Sequence, residues 1–187
     1  MRVRRATVDD AGAVAAVHVR SWQVGYRGQL PDDLLDSLEA GQRVPRWTAT
    51  LEATSWPARG VLVAEDPSGQ PAGFASLSPS RDGDQDSATT GEITSFYVAP
   101  RTWRHGVGRR LMRSALGELG AHYRRASLWV LSTNAPAIGF YEATGWRADG
   151  AVKDDVLAGV PIRDLRYVRD LAREDAGPPA HIDPRAR

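Results

Sequence analysis

The chain has 187 residues, enough for one domain with a short tail and too few for two large domains. Its 24 basic residues, 23 Arg and the single Lys153, balance 23 acids to a net charge of +1, without the strong positive excess of a nucleic-acid binder. The absence of cysteine excludes disulfides, thiolate metal sites and a cysteine nucleophile, while 42% hydrophobic and 25% charged residues exclude wholesale disorder.

Val3 to Ala6 predicts a short strand, and Thr7 the N-cap of a helix whose first turn holds Asp9 and Asp10, where carboxylates suit the helix dipole. The apolar run from Ala11 to Val19 follows Arg2, Arg4 and Arg5, as the core of a signal peptide would. It is shorter than the ~18 residues of a membrane span, two aspartates interrupt its basic flank, and its amphipathic pattern continues through Trp22. It therefore reads as a structural helix of a cytoplasmic protein that engages no membrane. Ala11, Val14 and Val17 face inward, with His18 and Trp22 four apart on one face and Tyr26 a turn beyond. Pro31, Asp32 and Asp33 open a short helix through Leu38, and Gln42 to Thr54 predicts a third.

Val61 to Ala64 and Ala72 to Leu77, joined by the Pro- and Gly-containing Asp66 to Gln70, predict a hairpin. Ser78 to Thr90 is a polar loop carrying Asp82, Asp84 and Asp86, which with Asp32, Asp33 and Asp36 either recognise a basic ligand or are simply solvated. Gly91 to Val98 is a strand stopped by Pro100. Gly106 to Leu119 is a helix, buried through Val107, Leu111, Ala115 and Leu119. Ser127 to Leu131 is a strand with few polar interruptions, as a central strand should be. A short helix from Pro136 to Ala143 closes at Gly145, and strands over Trp146 to Val152 and Ile162 to Asp170 complete the order. This is an α/β or α+β arrangement around one mixed sheet, spanning residues 1–172, with 173–187 expected to be a flexible tail.

The segment from Phe96 to Leu111 carries the clearest chemistry. A strand ends, and a basic turn with Gly106 and Gly108 opens a helix, so that unbonded backbone N–H groups converge on one spot beside Arg104, His105 and Arg109. That suits an anion, although the same turn also serves as an ordinary strand-to-helix connection. A P-loop is excluded because no Lys follows the second glycine, and a dinucleotide fingerprint is disfavoured by Leu111. The four histidines are dispersed, so no metal site is expected, and the basic cluster lacks the interleaved aromatics of a nucleic-acid surface.

Tyr97-Val98-Ala99-Pro100, then Arg104-His105-Gly106-Val107-Gly108, then Trp129 through Asn134 to Phe140-Tyr141 and Gly145-Trp146, resemble the GNAT superfamily of acetyl-CoA-dependent N-acetyltransferases. The motifs cover Glu92 to Trp146, and the element order extends the likeness over nearly the whole chain. The resemblance implies a mostly antiparallel sheet with a splayed parallel pair, Glu92 to Val98 and Ser127 to Leu131, holding acetyl-CoA in the gap. It implies cofactor contacts at Phe96, Tyr97, Val98, Trp103, Arg104, His105, Gly106, Val107, Gly108, Arg109, Asn134, Ala137 and Phe140. Trp103 stands where the family usually has Gln or Arg, and Arg104 where it usually has Gly.

The same resemblance makes Glu92 the general base and Tyr141 the general acid toward the leaving thiolate, against the alternatives of a solvated strand-end carboxylate and a core tyrosine. Even spacing along a strand predicts that Glu92 shares a face with Val98, while Ile93, Ser95 and Tyr97 face the other way. His18, Trp22 and Tyr26 either wall the site of an amine acceptor, a small molecule or peptide, or pack the first helix. A CoA-binding module without turnover and a protein N-terminal or lysine acetyltransferase are the alternative readings. A homodimer through the C-terminal strands is common among similar proteins.

Overall fold

A computed structural model describes residues 2–171; the expected tail, 173–187, lies outside them. The strands are β1 (Val3–Arg5), β2 (Gly60–Glu65), β3 (Pro71–Pro79), β4 (Thr90–Val98), β5 (Arg125–Leu131), β6 (Arg147–Leu157) and β7 (Val160–Asp170). The helices are α1 (Ala11–Gly25), α2 (Asp32–Asp36), α3 (Ala40–Glu52), α4 (Val107–Gly120) and α5 (Ala135–Ala143). The strands form one sheet in the order β1-β2-β3-β4-β5-β7-β6, antiparallel except for β4 and β5. The connection between that parallel pair is α4, as a crossover requires.

Two apolar layers hold the sheet. On one face Val107, Leu111, Ala115 and Leu119 of α4 are buried against Leu62, Ala75, Ile93 and Leu128. Each of the Val, Leu and Ile side chains among them contributes roughly 1.5–3 kcal/mol by leaving water. On the other face Val14 and Val17 of α1 and Trp47 and Leu51 of α3 close over Val61, Val63 and Phe74. Before α1 the chain makes a single 3₁₀ turn, Val8–Asp10, where the Asp10 carboxylate accepts from the Thr7 N–H at 2.8 Å and from Arg4 at 2.7 and 2.8 Å. Among the described residues no helix is long and apolar enough to cross a membrane, and no three His, Asp or Glu are grouped to hold a metal ion.

Three expectations need correcting. The strands predicted at Trp146 to Val152 and Ile162 to Asp170 are one long hairpin. Ala158 and Gly159, both at positive φ, make its two-residue turn, and Asp154 pairs with Arg163 across it at 2.7 and 3.0 Å. The charged stretch Lys153-Asp154-Asp155 belongs to an exposed edge strand rather than a loop. Helix α3 begins two residues early, at Ala40.

The third correction concerns β4. Ser76 pairs with Ser95 but Leu77 with Ile93, so Thr94 is an extra residue on β4 and reverses the alternation beyond it. Ile93, Phe96 and Val98 face α4, whereas Glu92, Ser95 and Tyr97 face α1. Glu92 therefore lies on the opposite face from Val98.

Candidate active site

The bulge sits where the sheet splits. β4 and β5 pair in parallel only from Thr90↔Arg125 to Ile93↔Leu128, although both strands run on. The Ala99 N–H donates to Ala72 at 2.8 Å, which fixes the phase of the antiparallel ladder to β3. By alternation, the backbone groups of Phe96 and Val98 then turn away from β3 into the gap. Val98 does not present a fully open edge, because its carbonyl accepts from Trp103 Nε1 at 2.6 Å and from Ser21 Oγ at 3.1 Å.

At the gap's wide end stands the N-terminus of α4. Gly106 caps the helix at φ 80°, in the left-handed region that glycine enters without a Cβ clash. Arg104 takes φ 64° in the turn before it, so the residue standing in for a family glycine adopts a glycine-like backbone. Arg104, His105 and Arg109 are exposed around the first-turn N–H groups, and His105 Nδ1 lies 2.8 Å from the Trp103 carbonyl oxygen. Val107, by contrast, is buried in the core and offers only its backbone to the turn. At Gly108 a Cβ would just touch the Phe140 ring at 3.4 Å, so only a side chain larger than a methyl would crowd that ring, which stacks on Phe96 at 5.6 Å. Across the gap, Asn134 caps α5 by accepting from the Ala137 N–H at 3.2 Å, which leaves its side-chain amide N–H groups directed elsewhere. This chain therefore presents an anion-suited turn, two strands' worth of exposed backbone and a side-chain amide around one cleft, a set that fits a phosphorylated, amide-bearing cofactor.

Tyr141 projects from α5 beside Phe96, Phe140 and Trp146 and is only 8% exposed. No hydrogen-bond partner reaches its hydroxyl among the described residues, and burial holds its pKa well above the ordinary phenol value, so it carries its proton at neutral pH. Glu92 is neither solvated nor free. It is 2% exposed, and its two oxygens accept from the Arg81 backbone N–H, Nε and Nη2 at 3.2, 3.1 and 2.7 Å.

The α1 face of the gap is aromatic. Tyr97 accepts from Trp22 Nε1 at 2.9 Å and is also hydrogen-bonded to Tyr26; burial raises the pKa of both tyrosines. His18 lies beneath them, stacked on Tyr97 at 4.9 Å, with Nδ1 accepting from Trp47 Nε1 at 3.2 Å. Burial, reinforced by Arg43 and Arg46, pushes the His18 pKa down to about 4, so the ring is neutral at pH 7. It belongs to the interior, while Trp22 and Tyr26 remain partly exposed.

The acidic loop is not a solvated cluster either. Asp82 is buried and accepts from Trp129 Nε1 at 3.0 Å, Lys153 at 2.6 Å and Arg166 at 3.3 Å. Asp84 holds Arg166 at 2.7 Å through both oxygens, and Asp86 accepts from the Ala88 N–H at 2.9 Å and Thr89 Oγ1 at 3.0 Å. The loop is thereby clamped over β5, β6 and β7. Asp32 and Asp36 pair with Arg27 at 3.0 and 2.7 Å. Arg81, Ser21 and Trp129, all absent from the sequence-based site, join it through contacts 11, 77 and 47 residues apart in the chain.

Comparison with known proteins agrees with this geometry. The family model described as the Acetyltransferase (GNAT) family matches residues 27–146. The uncharacterized N-acetyltransferase YuaI of Bacillus subtilis (strain 168) is 32% identical over 165 residues, covering 87% of this chain and 89% of its own. Among solved structures, the paiA N-acetyltransferase of Thermoplasma acidophilum, in complex with coenzyme A, superposes with a TM-score of 0.67 at 16% identity, covering 90% of this chain and 98% of that one. The protein yncA of Salmonella typhimurium, with its cofactor acetyl-CoA, gives 0.67 at 22% identity, covering 96% and 98%. With the family model covering most of the chain and a relative matching it nearly end to end, the chain belongs to the GNAT family of acetyltransferases.

Proposed function

We propose that the protein transfers the acetyl group of acetyl-CoA directly to a primary amine, with no covalent enzyme intermediate. The observation that carries this reading is the split between β4 and β5, which opens beside the N-terminus of α4 and between Tyr141 and Tyr97. Acetyl-CoA supplies an activated thioester carbonyl. The α4 turn from Arg104 to Arg109 would hold its pyrophosphate through backbone N–H groups and the helix dipole. Phe96, the Val98 N–H and Asn134 would hold the amide-bearing arm. The acceptor approaches from the α1 face. The amine nitrogen forms a bond to the carbonyl carbon as the carbon–sulfur bond breaks, and the departing sulfur takes a proton from Tyr141, whose desolvated hydroxyl is protonated at neutral pH. An alkylamine is almost wholly protonated at pH 7; Glu92 takes its surplus proton after Arg81 yields one of the oxygens it occupies, and the second proton that the nitrogen loses as the amide forms restores the Tyr141 hydroxyl.

The test is calorimetric titration with acetyl-CoA beside a Gly108→Trp variant, followed by thiol-release assays on primary amines. Micromolar binding that the variant loses, with amine-dependent thiol release, supports the reading. No binding at millimolar ligand by folded protein overturns it, and binding without transfer to any amine would favour a CoA-holding module.

A further inference from the structure

We infer that Asp164 sets acceptor specificity by pairing with a cationic group that the acceptor carries apart from the amine it gives up to acetylation; this rests on the acetyltransferase reading above. Leu165 and Tyr167 of β7 pack on the α4 face, so alternation directs Asp164 and Arg166 to the α1 face, where the acceptor would enter. Arg166 is consumed by Asp82, Asp84 and Asp149. Asp164 is not consumed: it is half-buried, and no donor reaches its carboxylate within hydrogen-bond or ion-pair distance among the described residues. Lys153, its partner in register, instead binds Asp82 at 2.6 Å and lies 3.8 Å over the Trp129 ring.

A desolvated carboxylate without a partner is costly unless a cation arrives. Burial accordingly raises its pKa, with Asp155 adding to the effect and Lys153 only partly opposing it. The same carboxylate acts electrostatically on Tyr26 and Tyr97, which places it on the aromatic side of the gap. A cleft of about 540 Å³ lies beside it, lined not by Asp164 itself but by its register partner Leu131, its chain neighbour Arg163 and Ile162, two residues away on the same face, and by Gln29, which accepts from Thr133 Oγ1 at 2.9 Å.

Position separates Asp164 from the reacting centre. Glu92 is in register with Ser127 of β5 and Asp164 with Leu131, four residues farther along the strand. At ~3.3 Å per residue this is about 13 Å along the strands, and because β4 and β7 flank β5 a further ~10 Å separates them laterally, about 16 Å between the two backbones, too far for one ammonium to touch both carboxylates. An acceptor with a second cation at its distal end meets both requirements, and the aromatic edges of Tyr26 and Trp129 suit the methylene chain between them.

The experiment compares 1,6-diaminohexane, 1-aminohexane and 6-aminohexanoate, which differ only in the charge at the far end, in the wild-type protein and in Asp164→Asn. Acetyl-CoA titration comes first, and its failure would remove the acetyltransferase reading and this inference together. With acetyl-CoA bound, the diamine is expected to have kcat/KM about 10- to 100-fold above the other two. Asp164→Asn should erase that advantage through KM, leaving kcat, 1-aminohexane kinetics and acetyl-CoA affinity unchanged. Equal use of the three amines, or a preference that survives in Asp164→Asn, overturns the inference while leaving acetyl transfer intact. If none of the amines turns over, their equilibrium binding to the CoA-loaded protein decides by the same comparison. If Asp164→Asn does not fold, the ranking of the three amines by the wild-type protein stands as the test.

Discussion

Arg81 and Glu92 form an unequal pair: the carboxylate is 2% exposed, whereas the guanidinium side chain that satisfies it is 68% exposed on the loop between β3 and β4. The buried partner is the one expected to accept a proton, and the exposed partner is the one that must yield. Glu92→Gln should lower kcat/KM at neutral pH by about 10²- to 10⁴-fold, with acetyl-CoA affinity spared, since Glu92 lies on the face away from Val98. Steady-state kinetics beside calorimetry check this, and an unchanged rate would remove Glu92 from the chemistry. Arg81→Ala should destabilise the fold by about 1–3 kcal/mol, because it leaves a buried acceptor unsatisfied.

The clamp on the same loop is centred on a buried cation. Arg166 is 8% exposed and bound to Asp82, Asp84 and Asp149, of which only Asp84 is largely in water. Arg166→Ala removes a buried cation shared by three carboxylates, leaving Asp82 to Lys153 and Trp129 and Asp149 without this partner, and should cost roughly 1–3 kcal/mol. Asp84→Ala removes a partner that is largely in water and should cost much less. Urea unfolding of the two variants tests the asymmetry, and similar losses would contradict it.

How much of this was legible depends on the kind of interaction. The α4 face was readable because Val107, Leu111, Ala115 and Leu119 repeat at helical spacing, and all four are buried. The glycine-bearing turn and Asn134 were readable because local backbone chemistry dictates them. The face of Glu92 was misread because the bulge at Thr94 carries no glycine to announce it. Its one trace is the odd spacing of Ile93 and Phe96, which both pack on the same side. The clamp formed by Asp82, Lys153 and Arg166 was not readable, since its partners are 71 and 84 residues apart and a run of acids looks alike whether solvated or buried. The long β6–β7 hairpin was cut short because an edge strand's exposed face is polar and resembles a loop.

Arg104 tests the departure from the family pattern. At φ 64° a non-glycine residue is strained by about 1–2 kcal/mol. Arg104→Gly should therefore raise stability, less the entropy glycine loses on folding. Arg104→Ala retains the strain and should not. Both remove one charge beside the α4 N-terminus, so both should weaken acetyl-CoA by a similar factor. Thermal unfolding and calorimetry on the two variants separate strain from charge; equal stabilities would mean that the turn carries no strain.

Trp103 is 41% exposed yet holds the Val98 carbonyl at 2.6 Å, the carbonyl that faces the gap. Any ligand amide pairing there competes with the indole N–H. Trp103→Phe keeps the ring and removes the donor, so acetyl-CoA affinity should rise by about 2- to 10-fold, one neutral hydrogen bond's worth. A weaker affinity would mean that the indole itself contacts the cofactor.

His18 makes acid stability measurable. Its Nδ1 accepts from Trp47, so protonation must break that bond in a site where burial already disfavours charge. Its folded pKa of about 4 lies below an unfolded value of about 6.5, so the unfolded chain binds the proton more readily. The stability it contributes is complete above pH ~6.5 and is lost as the pH falls toward 4, by roughly 3 kcal/mol at that point. The paired carboxylates Asp10, Asp82 and Asp84, whose pKa values are lowered, lose their contribution only below their ordinary range, so the two windows separate. His18→Gln offers an amide oxygen to Trp47 and does not titrate. Urea midpoints measured at pH 7, 5.5 and 4.5 should fall steeply for the wild type and stay nearly level for His18→Gln, and parallel curves would show that another group governs acid unfolding.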